Sequence, residues 1–144
     1  MRLKVIAVTL VLVGLASAVF MLRKNTRLSI KYRIADHDLD LTLAQTLEEK
    51  SQGLIGTKKL NDNQGMLFIY DEGQEAKFWM KDMSIPIDLI WLSRDKVVDF
   101  EKNIQPDNGE KLYFSPGEID GVLEVRAGWI DQYGVKLGDK LEKL

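Results

Sequence analysis

The stretch Gly65–Asp88, GMLFIYDEGQEAKFWMKDMSIPID, decides how this chain folds. Met66–Tyr70 and Ala76–Met80 are apolar, aromatic runs of strand length, and Asp71-Glu72-Gly73-Gln74 between them has the composition of a turn. The pair therefore reads as a β-hairpin. Pro86 has no backbone N–H to donate, so it breaks the chain before a further strand over Ile87–Leu92. Within the second run, period-two alternation sends Phe78 and Met80 to one face and Trp79 and Lys81 to the other.

Toward the N-terminus, Leu28–Ile34 and Leu39–Ala44 alternate as half-buried strands. Thr46 and Glu49 have the spacing of a capping box. They predict a helix over Leu47–Ile55 with Leu47, Leu54 and Ile55 inward and Gly53 and Gly56 marking its end. Toward the C-terminus, Ser93–Lys96 turns into a strand over Val97–Ile104 and Gln105–Glu110 is a loop. Val122–Val125 is another strand, Ala127–Tyr133 a short helix stopped by Gly134, and Gly138-Asp139 turns into a last strand. This pattern predicts a mainly β domain, a small and mostly antiparallel barrel-like or rolled sheet with two short helices.

Residues Val5–Leu22 carry no charge and are flanked by Arg2 and Lys4 on one side and Arg23, Lys24 and Arg27 on the other. A helix of this length approaches the thickness of a bilayer core. The segment reads as a membrane anchor, with a signal peptide cleaved after Ala18, at Ala16-Ser17-Ala18, as its competitor. The chain thus divides into a signal-anchor or signal peptide (1–24), a juxtamembrane linker and first strand (25–38) and a β-rich domain (39–144). The domain is expected outside the cytoplasm, tethered through residues 5–22 or secreted.

The first 27 residues hold five basic side chains and no acidic one, which leaves 15 basic against 22 acidic in the remainder. A domain this acidic repels phosphate backbones, which argues against nucleic acid as a partner. Without cysteine there are no disulfides, thiolate nucleophiles or Cys-based metal sites, and a single histidine, His37, removes His-based zinc triads. Asp36-His37-Asp38 has the chemistry of a solvated turn. Ser84 and Ser115 sit in no nucleophile-elbow sequence. No cofactor is expected, and no reaction is legible.

Three sets of side chains stand out. Trp79 and Lys81 place an aromatic beside an ammonium, a pairing that holds sugars or small anions, although the commoner role of such a tryptophan is core filling. Asp88 and Glu124 lie in otherwise apolar strands, where a buried carboxylate needs a partner such as Lys81 or Arg126. Asp139, after Gly138, has the setting of a turn residue. Met66, Met80 and Met83 are thioethers of the kind that bind Cu(I), though methionines more often fill gaps in a core. The expectation is a module that binds a small or carbohydrate-like ligand, or a partner in the cell envelope, through Trp79, Lys81, Asp88 and Glu124. The alternatives are a hydrolase of envelope polysaccharide using Asp88 and Glu124 as its acid–base pair, and a structural adaptor with no ligand recess.

Several of these motifs occur in the order seen in a known family. Gly53-Leu54-Ile55, Leu60, Gly65-Met66-Leu67-Phe68, Phe78-Trp79-Met80-Lys81, Ile85-Pro86-Ile87-Asp88, Leu123-Glu124-Val125, Ala127-Gly128, Gly134-Val135 and Gly138-Asp139 resemble the DUF192 family over about residues 39–144. The resemblance implies a small β-rich domain, often behind a signal or membrane segment, with no agreed activity. The chain departs from the family pattern at Ile55, where Gly-Leu-Met is usual, and at Thr57, where arginine is common. If that arginine holds an anion in relatives, this chain has either lost the role or passed it to Lys58 or Lys59.

Overall fold

The computed structural model describes residues 28–144, so the apolar segment Val5–Leu22 and the predicted N-terminal helix lie outside the described residues. Among the described residues no helix is long and apolar enough to cross a membrane. The elements in chain order are β1 (Ser29–Ile34), β2 (His37–Ala44), α1 (Leu47–Gln52), β3 (Gln64–Gln74), β4 (Lys77–Trp79), β5 (Ile87–Ser93), β6 (Lys96–Ile104), β7 (Leu112–Phe114), β8 (Ile119–Arg126), α2 (Trp129–Tyr133) and β9 (Glu142–Lys143).

Seven strands form one sheet in the order β6-β5-β8-β3-β2-β1-β9, and β4 pairs with β7 as a separate ribbon. All pairs are antiparallel except β2–β3, whose parallel register needs the crossover that carries α1. The sheet curls into a half-barrel. Its β6 edge meets the segment before β9 through a Lys96–Lys140 bridge, with Val97 N–H donating to the Asp139 carbonyl at 2.9 Å and Gly138 N–H to the Val97 carbonyl at 2.8 Å. The strand β1, expected in the juxtamembrane segment, is hydrogen-bonded along its whole length to β2.

The hairpin expected between Met66–Tyr70 and Ala76–Met80 does not form. β2 and β8 occupy both edges of β3, so β4 has no edge of β3 to join and pairs instead with β7, matching Trp79 to Leu112 and Lys77 to Phe114. Ser115 clamps this ribbon: its backbone N–H donates to the Ala76 carbonyl and its Oγ accepts from the Ala76 N–H, both at 2.9 Å. The predicted first helix is shorter than expected. Thr46 and Glu49 make the capping box, but α1 ends at Gln52, and Leu47 is 85% exposed rather than inward.

The curled sheet buries both faces. On one, Leu39, Leu41, Leu67, Ile90, Leu123 and Val125 pack against Trp129 and Ile130 of α2. On the other, Met66, Phe68, Leu89, Trp91 and Val122 lie with Leu54, after α1, and with Phe78 and Tyr113 from the ribbon. The Phe78 ring stands edge-on to Phe68 at 4.9 Å and to Trp91 at 5.6 Å, which fixes the ribbon over this face.

Candidate ligand recess

Asp88 and Glu124 are the two buried acidic residues among the described ones. They occupy adjacent strands, but their registers differ by one: Asp88 faces Val125 across the β5–β8 ladder and Glu124 faces Leu89. Neighbours directly across a ladder share a face and the next pair takes the other, so the two carboxyl groups point to opposite sides of the sheet. The arrangement expected of an acid–base pair flanking one glycosidic bond is therefore not present.

Asp88 lies on the α2 side and is fully buried. Its Oδ1 accepts from the Asn103 N–H at 2.8 Å and the Gly128 N–H at 3.1 Å, and its Oδ2 from the Ile130 N–H at 2.9 Å. These donors come from the end of β6 and the start of α2, so the carboxyl group pins both to β5. Neither Lys81 nor Arg126, the partners sequence suggested, is bonded to it. Arg126 instead donates to Asp62 Oδ1 at 2.5 Å, to the Ala127 carbonyl at 3.0 Å and to Gln132. Asp62 also accepts from the Tyr133 hydroxyl at 3.1 Å, and its carbonyl takes the Trp129 indole N–H at 2.7 Å.

Glu124 lies on the other face, between Met66 of β3 and Leu89 of β5. It is 6% exposed, and its Oε2 is the one buried side-chain polar atom among the described residues without a hydrogen-bond partner. Burial raises its pKa from 4.5 to about 8, so the group is protonated at neutral pH. Gly65, one step along β3, allows this close packing. A Cβ there would lie 2.6 Å from the Glu124 carbonyl oxygen and 2.9 Å from Leu41.

Glu124 forms part of the wall of a recess of about 470 Å³, together with Trp79 and Lys81. The structure thus brings three of the four sequence-predicted residues to one concavity and leaves Asp88 outside it. The alternation read from the sequence explains the geometry: Phe78 and Met80 turn into the core while Trp79, 46% exposed, and Lys81 face the opening. Gly109, at φ +82°, lets the loop after β6 lie against Lys81, since a Cβ there would be 2.9 Å from the Lys81 Cβ.

Phe68, Tyr70 and Lys50 complete the walls, with the Lys50 ammonium 4.3 Å from the centre of the Tyr70 ring. Burial raises the pKa of the Tyr70 hydroxyl, and the Glu124 charge adds to the effect. These three were missed from sequence. The alternation Met66, Phe68, Tyr70 places Tyr70 on the Glu124 side of β3 and was the signal that could have found it. Lys50 comes from α1, on the crossover between two strands, which no local pattern relates to β8.

A second cavity of about 730 Å³ lies across the segment Gln52–Ile55, lined in part by Ser29, Asp40, Thr42, Thr57 and Lys59. Thr57 and Lys59, from the stretch where the chain departs from the family pattern, thus face this cavity and not the Glu124 recess. Met66 and Met80 are buried and Met83 partly so, all packed among apolar side chains of one core cluster. His37 starts β2 with its ring 3.9 Å from that of Tyr133. Asp139 Oδ2 accepts from the Lys136 N–H at 2.8 Å, the local turn role expected of it. Among the described residues no group of three or more His, Asp or Glu side chains is placed to hold a metal ion.

A curled, mainly β sheet with a crossover helix and a side recess defines the class of domain. The chain belongs to the DUF192 family of uncharacterised proteins, whose pattern it matches over residues 29–143. Two solved structures resemble it. A Sinorhizobium meliloti protein with the provisional description of a transcription regulator is 30% identical and superposes with a TM-score of 0.76, covering 80% of this chain and 93% of its own. A Novosphingobium aromaticivorans protein of unknown function is also 30% identical, with a TM-score of 0.75, covering 79% of this chain and 84% of its own. No curated protein matches the chain.

Proposed function

We propose that this protein is a membrane-tethered or exported binding module that takes a small, uncharged, carbohydrate-like ligand into the recess bounded by Trp79, Lys81 and Glu124. The observation that carries this reading is the Glu124 Oε2 atom, buried at the recess without a partner. A buried polar atom left unpaired costs about 1–3 kcal/mol, which a ligand group bonded to it would recover. A protonated carboxyl group both donates and accepts, and so does a sugar hydroxyl. The Trp79 ring at the rim offers a face on which a sugar ring can stack, Lys81 adds donors, and the volume falls within the range of ~300–1,000 Å³ usual for small-molecule sites.

The provisional description of the Sinorhizobium protein does not extend readily to this chain. Residues 28–144 hold 15 basic against 22 acidic side chains, a balance that repels nucleic acid. The test is a thermal-shift screen of the full chain in detergent against neutral glycans, charged sugars, nucleotides and metal salts. A neutral glycan should raise the melting temperature of the wild type and of Asp131→Ala, an exposed control, but not that of Trp79→Ala or Glu124→Gln. A shift that survives in both recess variants would place binding elsewhere and end this reading.

A further inference from the structure

The β4–β7 ribbon turns Phe78 and Tyr113 into the core, and its other face leaves Trp79 46%, Leu112 43% and Phe114 63% exposed, with Lys77 beside them. Three large apolar side chains on six ribbon residues form a patch with no covering element among the described residues. Its composition, indole and phenyl rings with a lysine whose stem can lie along them, is that of groups that settle at a membrane–water interface.

We propose that this face of the ribbon seats on the surface of a lipid bilayer. The reach of the chain supports that occupant. Only Arg23–Leu28 separate the uncharged run Val5–Leu22 from β1, and six residues span at most ~20 Å. With the uncharged run in a bilayer, the domain is held against that same surface. Ser29, where the chain joins β1, lines the second cavity, and Trp79 lines the Glu124 recess. Ser29 pairs with Thr42, Thr42 with Met66 and Met66 with Glu124, so Ser29 lies on the face of the sheet that the ribbon covers. A second copy of the chain is a poorer fit, because two three-residue strands offer far less than the ~800 Å² per partner that a stable dimer buries. Trp79 belongs both to the seat and to the recess wall, so seating opens the recess at the membrane surface. The seat does not depend on what the recess holds.

Trp79 is also its own reporter, because Trp91 and Trp129 are 1% and 0% exposed and shielded from lipid. The full chain is reconstituted into phosphatidylcholine vesicles whose acyl chains are brominated just below the headgroups, and its tryptophan emission is compared with that in plain vesicles. The bromolipid should quench part of the wild-type emission. It should quench none in Trp79→Phe and little in the double variant Leu112→Ser/Phe114→Ser, whose melting curve should match the wild type. Equal emission in the two vesicle types, quenching that persists in the double variant, or failure of the chain to float with vesicles would each overturn the seat. So would a lipid-independent blue shift that grows with protein concentration, which would assign the face to a second copy. Glycan-induced thermal shifts that persist in the double variant would separate loss of the seat from loss of the recess.

Discussion

Asp88 and Glu124 sit on neighbouring strands, buried to nearly the same degree, and have opposite fates. The Asp88 side faces the start of α2 and the end of β6, whose free N–H groups converge on its oxygens. The Glu124 side faces Met66, Leu89 and an open recess, which supply nothing to bond its Oε2. One carboxyl group is consumed by architecture. The other holds a proton and an unused bonding capacity. Burial alone does not mark a functional acid, because what matters is whether the surrounding backbone has already claimed it.

The contrast breaks most directly at Asp88. Replacing it with alanine strands three backbone donors, so Asp88→Ala should lose about 4 kcal/mol or more in chemical denaturation. Stability within about 1 kcal/mol of wild type would show that water replaces the carboxyl group easily. The matching change at Glu124 should act in the opposite sense. Its folded pKa, about 8, lies above its unfolded value of 4.5, so between these the folded form binds more protons and wild-type stability falls as pH rises. Glu124→Gln removes that slope. At about pH 9 it should be more stable than wild type by a few kcal/mol at most, with a flatter profile between about pH 5 and 8, measured by urea melts across pH.

Smaller effects sharpen the comparison. Thr46→Ala removes the capping-box acceptor for the Glu49 N–H and should lower stability by about 1 kcal/mol. Because α1 supplies Lys50 to the recess wall, the same variant should also weaken ligand binding. Trp79→Ala should change stability by less than about 1 kcal/mol, since the ring is nearly half exposed, while abolishing the ligand-induced thermal shift. A large loss of stability in Trp79→Ala would make the ring structural.

Local pattern was readable in the sequence, and long-range pairing was not. Period-two alternation set Phe78 and Met80 on the opposite face from Trp79 and Lys81, though not which pair points inward, and the spacing of Thr46 and Glu49 marked the start of α1. Both depend on residues within one turn or one strand. The partner of β4 is some 35 residues away in β7, and the donors to Asp88 lie 15, 40 and 42 residues from it. A hairpin was the economical reading of two adjacent strands, because nothing local reveals that both edges of β3 are taken. The same limit grouped Asp88 with Glu124. Each stands out in an apolar strand, and only their registers across the β5–β8 ladder reveal which side of the sheet each faces.

The most direct test of the account is a carbon-13 NMR titration of the Glu124 carboxyl carbon in the ligand-free protein, assigned by comparison with Glu124→Gln. A midpoint near pH 8 is predicted, as expected for a buried group without a counter-charge. A midpoint close to 4.5 would mean that the group is solvated or already paired, and the recess would then hold no unmet bonding capacity to draw a ligand.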